Sequence, residues 1–171
     1  MAENQRQRKL STILAMDVVD YTVKMGSDED GTLEQLAECK TILDQIVLQQ
    51  DGRIFNTAGD AFMIEFSSIS GAVTAGIQFQ KKMADRNEGL SMEKSLEFRM
   101  GINMGDVVID GENLFGDGVN VAARLEGICP RGGICISGKI FSEIEGRVDV
   151  GFIDQGMQSL KNVEKPVRAY F

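Results

Sequence analysis

The chain has 171 residues, 43% of them hydrophobic and 26% charged, and its 26 acidic and 18 basic residues give a net charge of −8. This length suits one domain with a sizeable core, and the acidic balance argues against nucleic acid as a partner, because affinity for a phosphate backbone comes mainly from Lys and Arg. No apolar stretch approaches the roughly 20 residues of a membrane span, and no signal-peptide segment follows the polar start. We therefore expect a cytoplasmic protein.

The inventory of reactive side chains narrows the chemistry further. The chain has no histidine and three cysteines, which are Cys39, Cys129 and Cys135. Without histidine, Ser-His-Asp and Cys-His catalysis and histidine-liganded metal sites are excluded. The cysteines are odd in number and lack metal-site spacing, so we interpret them as reduced thiols. Any catalysis must use carboxylates, amides, Arg and Lys.

Strand and helix patterns alternate along the first half of the chain. Helix-start signals at Ser27, Asp28 and Asp30 precede apolar residues at helical spacing, and alternation on both sides of a Gly-Asp turn indicates a hairpin. The predicted elements are a buried strand at 10–19, a helix from about 28 to 50, a hairpin at 53–66 and a helix from about 67 to 85.

The second half continues the alternation and indicates the fold class. The predicted elements are a hairpin at 98–110 that turns at Gly105-Asp106, a helix at about 118–127, a strand at 133–137, a short helix at 138–145 and strands around 148–153 and 167–171. The β-α-β-β-α-β order predicts an α+β sandwich with a ferredoxin-like core, additional C-terminal strands and helices packed on one face of the sheet. We expect a flexible lead-in at 1–8 and one domain at 9–171.

Two aspartates lie where strands end or turn. Asp17 closes the first strand, and Asp60 lies in the turn of the first hairpin. Buried carboxylates are costly unless they are neutralised, and two of them together make a hard-oxygen site that suits Mg²⁺ and phosphates. The turn that follows Asp17 offers backbone N–H groups to a polyphosphate. The alternative is that Asp17 and Asp20 only cap this turn, and that Gly59-Asp60 only forms the hairpin.

The third predicted helix carries an amide and a guanidinium on one face. Asn120 and Arg124 are four residues apart and follow a glycine-rich entry. Such a pair suits a sugar oxygen and a phosphoryl group. Lys161, in a C-terminal turn, is within reach of a terminal phosphate in this interpretation. The alternatives are an exposed polar helix face and a solvated lysine.

On these residues the chain resembles the catalytic domain of class III adenylate/guanylate cyclases, from about Lys9 to Phe171. The resemblance rests on five blocks in the family's order, which are MDVVDYT at 16–22, FNTAGD at 55–60, FRMGINMG at 98–105, FGDGVNVAARLE at 115–126, and LKN at 160–162 with Pro166-Val167. It implies a palm-like nucleotide cyclase fold for residues 9–171. It also implies conversion of a nucleoside triphosphate to its 3′,5′-cyclic monophosphate and pyrophosphate.

The resemblance implies a role for the residues around the two aspartates. In the family, two aspartates hold two divalent ions, Mg²⁺ or Mn²⁺, and the matching residues are Asp17 and Asp60, with the backbone carbonyl of Val18 as a further contact. The loop formed by Val19, Asp20, Tyr21 and Thr22 would wrap the phosphates.

The remaining catalytic groups imply a second copy of the chain. Asn120 matches the family's ribose-orienting asparagine, Arg124 the arginine that stabilises the transition state, and Lys161 a phosphate-binding lysine. In the family, one subunit supplies the metal residues and the other supplies the Asn/Arg pair. The resemblance therefore implies a head-to-tail homodimer with two shared sites and an inactive monomer.

Base recognition departs from the family pattern. Adenylate cyclases of this class use a lysine with an aspartate or threonine, and the matching positions here are Asn56 and Asn113. One amide can donate to adenine N1 and the other can accept from the N6 amine, but flipped amides also accommodate guanine. Asp106 stands where some members carry a basic phosphate ligand.

We therefore expect an adenylate cyclase that makes cyclic AMP from ATP in signal transduction. The alternatives are a guanylate cyclase acting on GTP and a non-catalytic nucleotide-binding or dimerisation module with a decayed base pocket. A diguanylate-cyclase-like enzyme is disfavoured, because the helix with Asn120 and Arg124 has no counterpart there. Regulatory domains in a longer chain are also expected.

Overall fold

The computed structural model describes residues 6–171, which form one mixed sheet with helices on both faces. Residues 1–5 of the expected lead-in lie outside the described residues, and the first strand begins at Arg8. The elements in chain order are β1 (Arg8–Val18), α1 (Tyr21–Ser27), α2 (Glu29–Gln49), β2 (Gly52–Ala58), β3 (Ala61–Phe66), α3 (Ile69–Asn87), β4 (Phe98–Asp110), β5 (Asn113–Phe115), α4 (Asp117–Ile128), β6 (Ile134–Ser137), α5 (Gly138–Ile144), β7 (Asp154–Gln158) and β8 (Val167–Tyr170).

The strands follow the order β2-β3-β1-β4-β6-β8-β7, and β5 pairs with β4. The order of the first four strands confirms the predicted α+β fold with a ferredoxin-like core. β1 pairs antiparallel with both β3 and β4, and in this register Met16 faces Phe62 and Asp17 faces Arg99. The end of β1 therefore lies beside the β2–β3 turn and the start of β4.

The helices cover both faces of the sheet, so the expectation of helices on one face was wrong. Leu14 and Met16 join the core cluster that contains residues of α2 and α3, whereas Ile13 and Ala15 join a cluster with Ala122 of α4. Successive side chains of a strand point to opposite faces. The uninterrupted apolar run of β1 already carried this information, because strands buried on both faces read as continuous apolar runs rather than alternating ones.

Helix α4 lies directly on β4 because β4 has a glycine at the point of contact. A Cβ on Gly101 would lie 2.2 Å from the carbonyl oxygen of Ala122 and 2.4 Å from the backbone nitrogen of Glu126. Both atoms belong to the helix backbone and cannot move aside as a flexible side chain can. Ala122 itself is fully buried. This close packing holds α4 in place over the centre of the sheet.

The segment predicted as a hairpin at 98–110 is a single strand. β4 pairs with β1 from Phe98 to Val108 without a break, so Gly105-Asp106 is not a turn. The chain reverses instead at Gly111-Glu112, where Gly111 has a φ of 61°, and β5 returns along β4. A glycine in an apolar strand was interpreted as a turn, although it serves close backbone packing: a Cβ on Gly105 would lie 3.0 Å from the Cα of Gly118.

Two further elements differ from the prediction. α1 has no counterpart in the sequence prediction, since it buries none of its residues and so carries no apolar stripe. The strand predicted around 148–153 lies at Asp154–Gln158, although Ile153 and Phe171 exchange two backbone hydrogen bonds of 2.9 and 3.0 Å. Among the described residues, no helix is both long and apolar enough to cross a membrane.

Candidate active site

Asp17 and Asp60 come together at one end of β1. The Oδ2 atom of Asp60 accepts a hydrogen bond of 3.0 Å from the backbone N–H of Val18, the residue that follows Asp17. Burial raises the pKa of Asp60 and the charge of Asp17 adds to the rise, while the hydrogen bond from Val18 offsets part of it. Both carboxyl groups are only partly buried. The site is therefore a pair of mutually repelling carboxylates that remains open to solvent.

Two further ionisable residues, Arg99 and Glu126, lie beside Asp17 and were not predicted from the sequence. Nη2 of Arg99 is 3.4 Å from Asp17 Oδ1, and Nε of Arg99 is 3.4 Å from Oε1 of Glu126 on α4. Burial raises the pKa of Glu126 to about 9, and a hydrogen bond with Asp17 and the negative charge of Asp17 add to the rise. Arg99 is thus the nearby cation for Asp17. An arginine between the buried Phe98 and Met100 was a usable signal, because such a charge needs a partner.

The segment from Val19 to Thr22 turns the chain from β1 into α1. Asp20 has left-handed backbone angles, with φ 56° and ψ 33°, a conformation that aspartate tolerates better than most residues. The N–H of Val19 donates to the carbonyl of Glu97 over 2.8 Å, and Arg131 approaches Asp20 to 3.8 Å. Glu97 and Arg131 thus hold the turn in place, and the N–H groups at the start of α1 remain available to a ligand.

Asn120 and Arg124 lie on the outer face of α4. Both residues are exposed, whereas Val121, Ala122 and Leu125 are buried against the sheet. Among the described residues, neither side chain has a hydrogen-bond or ion-pair partner. Both side chains are therefore available to another molecule.

Lys161 is also exposed. It lies in a turn directly after Leu160, whose side chain is buried in a small cluster with residues of α4 and β8. The buried leucine fixes the position of the turn, and the lysine extends from it into solvent.

The two asparagines at the expected base-reading positions lie on strands that touch each other. Asn56 is exposed on β2 and Asn113 is half-buried at the start of β5, and β2 and β5 are in contact. Leu114 and Phe55, the neighbours of the two asparagines, pack in the same apolar cluster. Oδ1 of Asn113 accepts a hydrogen bond of 2.9 Å from the N–H of Leu114. Oδ1 thus already accepts one bond, whereas the amide nitrogen, which is a donor, has no hydrogen-bond partner among the described residues.

A cleft beside α4 does not coincide with the aspartate pair. A cleft of about 350 Å³ is lined by Asp106, Asp117, Lys139 and Arg168, among others, but not by Asp17 or Asp60. Within residues 6–171, no three or more cysteine, aspartate or glutamate side chains form a metal-binding group. Any metal at Asp17 and Asp60 would need further ligands from the backbone, the substrate or water.

A fold with a ferredoxin-like core, a carboxylate pair at the end of its central strand and an exposed Asn/Arg pair on a separate helix is typical of class III nucleotide cyclases. The sequence model described as "Adenylate and Guanylate cyclase catalytic domain" matches residues 3–171. The chain belongs to this family and is a nucleotide cyclase catalytic domain.

Individual relatives agree with this assignment. The chain is 39% identical over 171 residues to "Putative adenylate cyclase 3" of Rhizobium meliloti, covering 99% of this chain and 29% of the relative. Among solved structures, an adenylate/guanylate cyclase/hydrolase from Silicibacter pomeroyi is 34% identical with a TM-score of 0.90, and 97% of each chain is covered. The adenylyl cyclase CyaB from P. aeruginosa is 26% identical with a TM-score of 0.82, covering 97% of this chain and 94% of that one.

Proposed function

We propose that this domain converts ATP to 3′,5′-cyclic AMP and pyrophosphate at the interface of a homodimer. The observation that carries the proposal is that one chain presents two groups of candidate site residues with no hydrogen bond or ion pair between them among the described residues. Asp17 and Asp60 are joined at the end of β1, while Asn120 and Arg124 project from the outer face of α4. A second copy, placed head to tail, would complete each group with the other.

Asp17 and Asp60 fit a divalent-metal site by their chemistry. They are two adjacent, partly exposed carboxylates, and burial, with the charge of Asp17 adding to it, raises the pKa of Asp60. Oxygen ligands of this kind suit Mg²⁺ or Mn²⁺, and we assign the carbonyl of Val18 as a further ligand. Two such ions would activate the ribose 3′-hydroxyl and neutralise the triphosphate.

The protein groups then orient the substrate and stabilise the charge that develops. The N–H of Val19 is already bonded to the carbonyl of Glu97. The turn from Val19 to Thr22 therefore offers the phosphates the N–H groups at the start of α1 instead. From the partner subunit, the Asn120 amide would orient the ribose, Arg124 would contact the α-phosphate and Lys161 the terminal phosphate. The 3′-hydroxyl would pass its proton to water as its oxygen bonds to the α-phosphorus, and the bond from that phosphorus to pyrophosphate would break with the electron pair leaving on pyrophosphate.

ATP is our first choice of substrate, because the Rhizobium relative that covers almost the whole chain carries the name of an adenylate cyclase. One structural observation favours GTP as a second candidate. Oδ1 of Asn113 already accepts a bond from the N–H of Leu114, whereas its amide nitrogen, a donor, has no partner among the described residues. A donor complements O6 of guanine, whereas the N6 amine of adenine needs an acceptor.

The test is a panel of ATP and GTP with Mg²⁺ or Mn²⁺, read by chromatography for cyclic product, with the dimer fraction measured on the same sample. We expect product in the dimer and none in a matched sample of Asp60→Asn. A verified dimer that gives no product with any nucleotide or metal would support the alternative of a non-catalytic nucleotide-binding or dimerisation module.

One relative is much longer than this chain. The chain spans 29% of the length of the Rhizobium relative. We therefore propose that residues 9–171 act as the catalytic domain of a cytoplasmic signalling protein that also contains regulatory domains.

A further inference from the structure

Arg53 links the two strands that carry the expected base-reading asparagines. It lies on β2, three residues before Asn56. Its Nη1 donates a hydrogen bond of 2.6 Å to the carbonyl oxygen of Glu112, the residue that immediately precedes Asn113. One guanidinium therefore joins the backbone of the β4–β5 hairpin to β2.

The guanidinium is itself held by a partly buried carboxylate. Nη2 of Arg53 donates to Oε2 of Glu65 over 2.9 Å, and the side chain of Glu65 is only 14% exposed. Glu65 also accepts a hydrogen bond of 3.0 Å from Ser11 and forms an ion pair with Lys9. Since Glu65 on β3 is also held by Ser11 and Lys9 of β1, it gives Arg53 a fixed partner. The Nη1 atom of Arg53 therefore donates to the hairpin from a fixed position and in a fixed direction.

The hairpin needs such a support because little else holds its tip. β5 has three residues and pairs only with the end of β4, and Phe115 at its far end is 49% exposed. Apart from this pairing, the buried side chain of Leu114 anchors the strand. The tip at Gly111-Glu112 is tied back to β2 by the Arg53 contact. The Arg53 contact is thus one tie between the strand of Asn56 and the hairpin that carries Asn113.

We propose that Arg53 is a positioning residue for base selection, which sets the spacing and direction of Asn56 and Asn113 by holding the β4–β5 hairpin against β2. This proposal rests on the proposed function, in which those two asparagines read the purine. Base discrimination depends on hydrogen bonds to particular edges of the base, so it is sensitive to small displacements of either amide. Binding of the ribose and the triphosphate uses other residues and is common to ATP and GTP.

The distinguishing measurement is the ratio of kcat/KM for ATP to kcat/KM for GTP in the dimer with Mn²⁺. Arg53→Met keeps the length of the side chain but removes both donors, and we expect it to bring this ratio about threefold to tenfold closer to one. Arg53→Lys retains a charge and fewer, less directed donors and should give an intermediate ratio. A purely structural role would lower both kcat/KM values by the same factor, and an unchanged ratio in Arg53→Met overturns the proposal.

Two further variants serve as a matched control and as an independent check on the role of Arg53. Arg86→Met is the matched control, because Arg86 pairs with Glu38 between α3 and α2 on the opposite face of the sheet, and it should leave the ratio unchanged. Glu65→Gln weakens the support of Arg53 while leaving Arg53 and its bond to Glu112 in place, and it should shift the ratio in the same direction by less. If Arg53→Met does not fold, Glu65→Gln and Arg53→Lys decide the question.

Binding separates a failure of this proposal from a failure of the proposed function. Calorimetry with 3′-deoxy-ATP and 3′-deoxy-GTP, which lack the attacking hydroxyl, measures base selectivity without turnover. If the wild type makes no cyclic product but Arg53→Met still loses binding selectivity, the cyclase function fails and the role of Arg53 stands. A wild type that binds both nucleotides equally contradicts the role of Arg53, whatever its activity.

Discussion

The backbone N–H of Val18 donates a hydrogen bond to the carboxylate of Asp60, and this contact joins two segments 42 residues apart in the chain. It places the β2–β3 turn beside the end of β1 and thereby brings Asp60 next to Asp17. An asparagine at position 60 can still accept this hydrogen bond but lacks the negative charge. Asp60→Asn is therefore a variant that tests the charge of the site without removing the contact that shapes it.

Complementation between two inactive variants should reveal the shared site. Under the proposed function, Asp60→Asn removes a metal ligand and Arg124→Ala removes the arginine that stabilises the transition state. Each variant alone should then lose at least 100-fold in kcat. In a mixture, each mixed dimer contains one intact site. Random exchange should restore about a quarter of the wild-type activity per subunit.

The measurement is cyclic nucleotide formation after the two variants are mixed and allowed to exchange. A mixture of Asp60→Asn with itself is the control and should stay inactive. Activity in either variant alone would contradict the site assignment. No recovery in a mixture with demonstrated exchange would contradict the sharing of sites between subunits.

Gly101→Ala should destabilise the domain strongly. The added Cβ would lie 2.2 Å from the carbonyl of Ala122, so α4 must move away from β4. We expect a loss of about 2–4 kcal/mol in the free energy of unfolding, at or above the usual range for overpacking. Urea unfolding followed by circular dichroism measures this change.

Gly127→Ala is the matched control for this prediction. Gly127 lies near the end of the same helix, and a Cβ there would meet no atom within 4 Å. Because alanine is the better helix former, the variant should be unchanged or more stable by up to about 1 kcal/mol. Equal stability of Gly101→Ala and Gly127→Ala would show that the contact between α4 and β4 tolerates a side chain.

The stability that Glu65 provides should depend on pH. Burial raises the pKa of Glu65, but the hydrogen bonds from Lys9, Arg53 and Ser11 outweigh this effect and hold the pKa below its usual value of 4.5. A depressed carboxyl pKa stabilises the fold above the unfolded-state pKa, and this contribution is lost as the pH falls through the folded-state value. Lys9 and Arg53 are about half exposed, so solvent screening limits the contribution to about 1 kcal/mol.

Unfolding of the wild type and Glu65→Gln by urea, from neutral pH down to about pH 3, checks this expectation. The wild type should be the more stable of the two near neutral pH, and the difference should disappear below pH 4.5. A difference that stays constant with pH would mean that Glu65 acts through packing rather than through its charge.

Replacing the two asparagines by the adenylate-type pair should favour ATP. In Asn113→Asp, one carboxylate oxygen can keep the bond to the N–H of Leu114 while the other accepts from the N6 amine of adenine. Asn56→Lys adds a donor to adenine N1. We expect the ratio of kcat/KM for ATP to that for GTP to rise about tenfold in the double variant.

The ratio is the informative quantity here, because the added lysine charge attracts any nucleoside triphosphate and raises both kcat/KM values together. The single variant Asn113→Asp adds no positive charge and should move the ratio in the same direction. A ratio that falls in Asn113→Asp would contradict the assignment of residue 113 to base reading.

Local patterns in the sequence determined much of the fold. The helix start at Asp28 could be predicted because aspartate is a favoured N-cap residue, and in the structure its side chain accepts a hydrogen bond from the N–H of Gly31. The continuous apolar run of β1 and the alternation of β3 predicted strands. The glycines of β4 misled the interpretation, since a glycine that makes room for a helix has the same local appearance as one that makes a turn.

In the candidate site, too, some features could be predicted from local sequence and others depend on the tertiary structure. The sequence alone singled out Asp17, Asp60, Asn120 and Arg124, because a carboxylate at a strand end and a polar pair at helical spacing are local features. Only the tertiary structure decided that Arg99 lies between Asp17 and Glu126, and that Arg53 reaches a carbonyl 59 residues away. These contacts depend on strand register, sheet twist and the crossing of α4 over β4, which the spacing of residues along the chain does not encode.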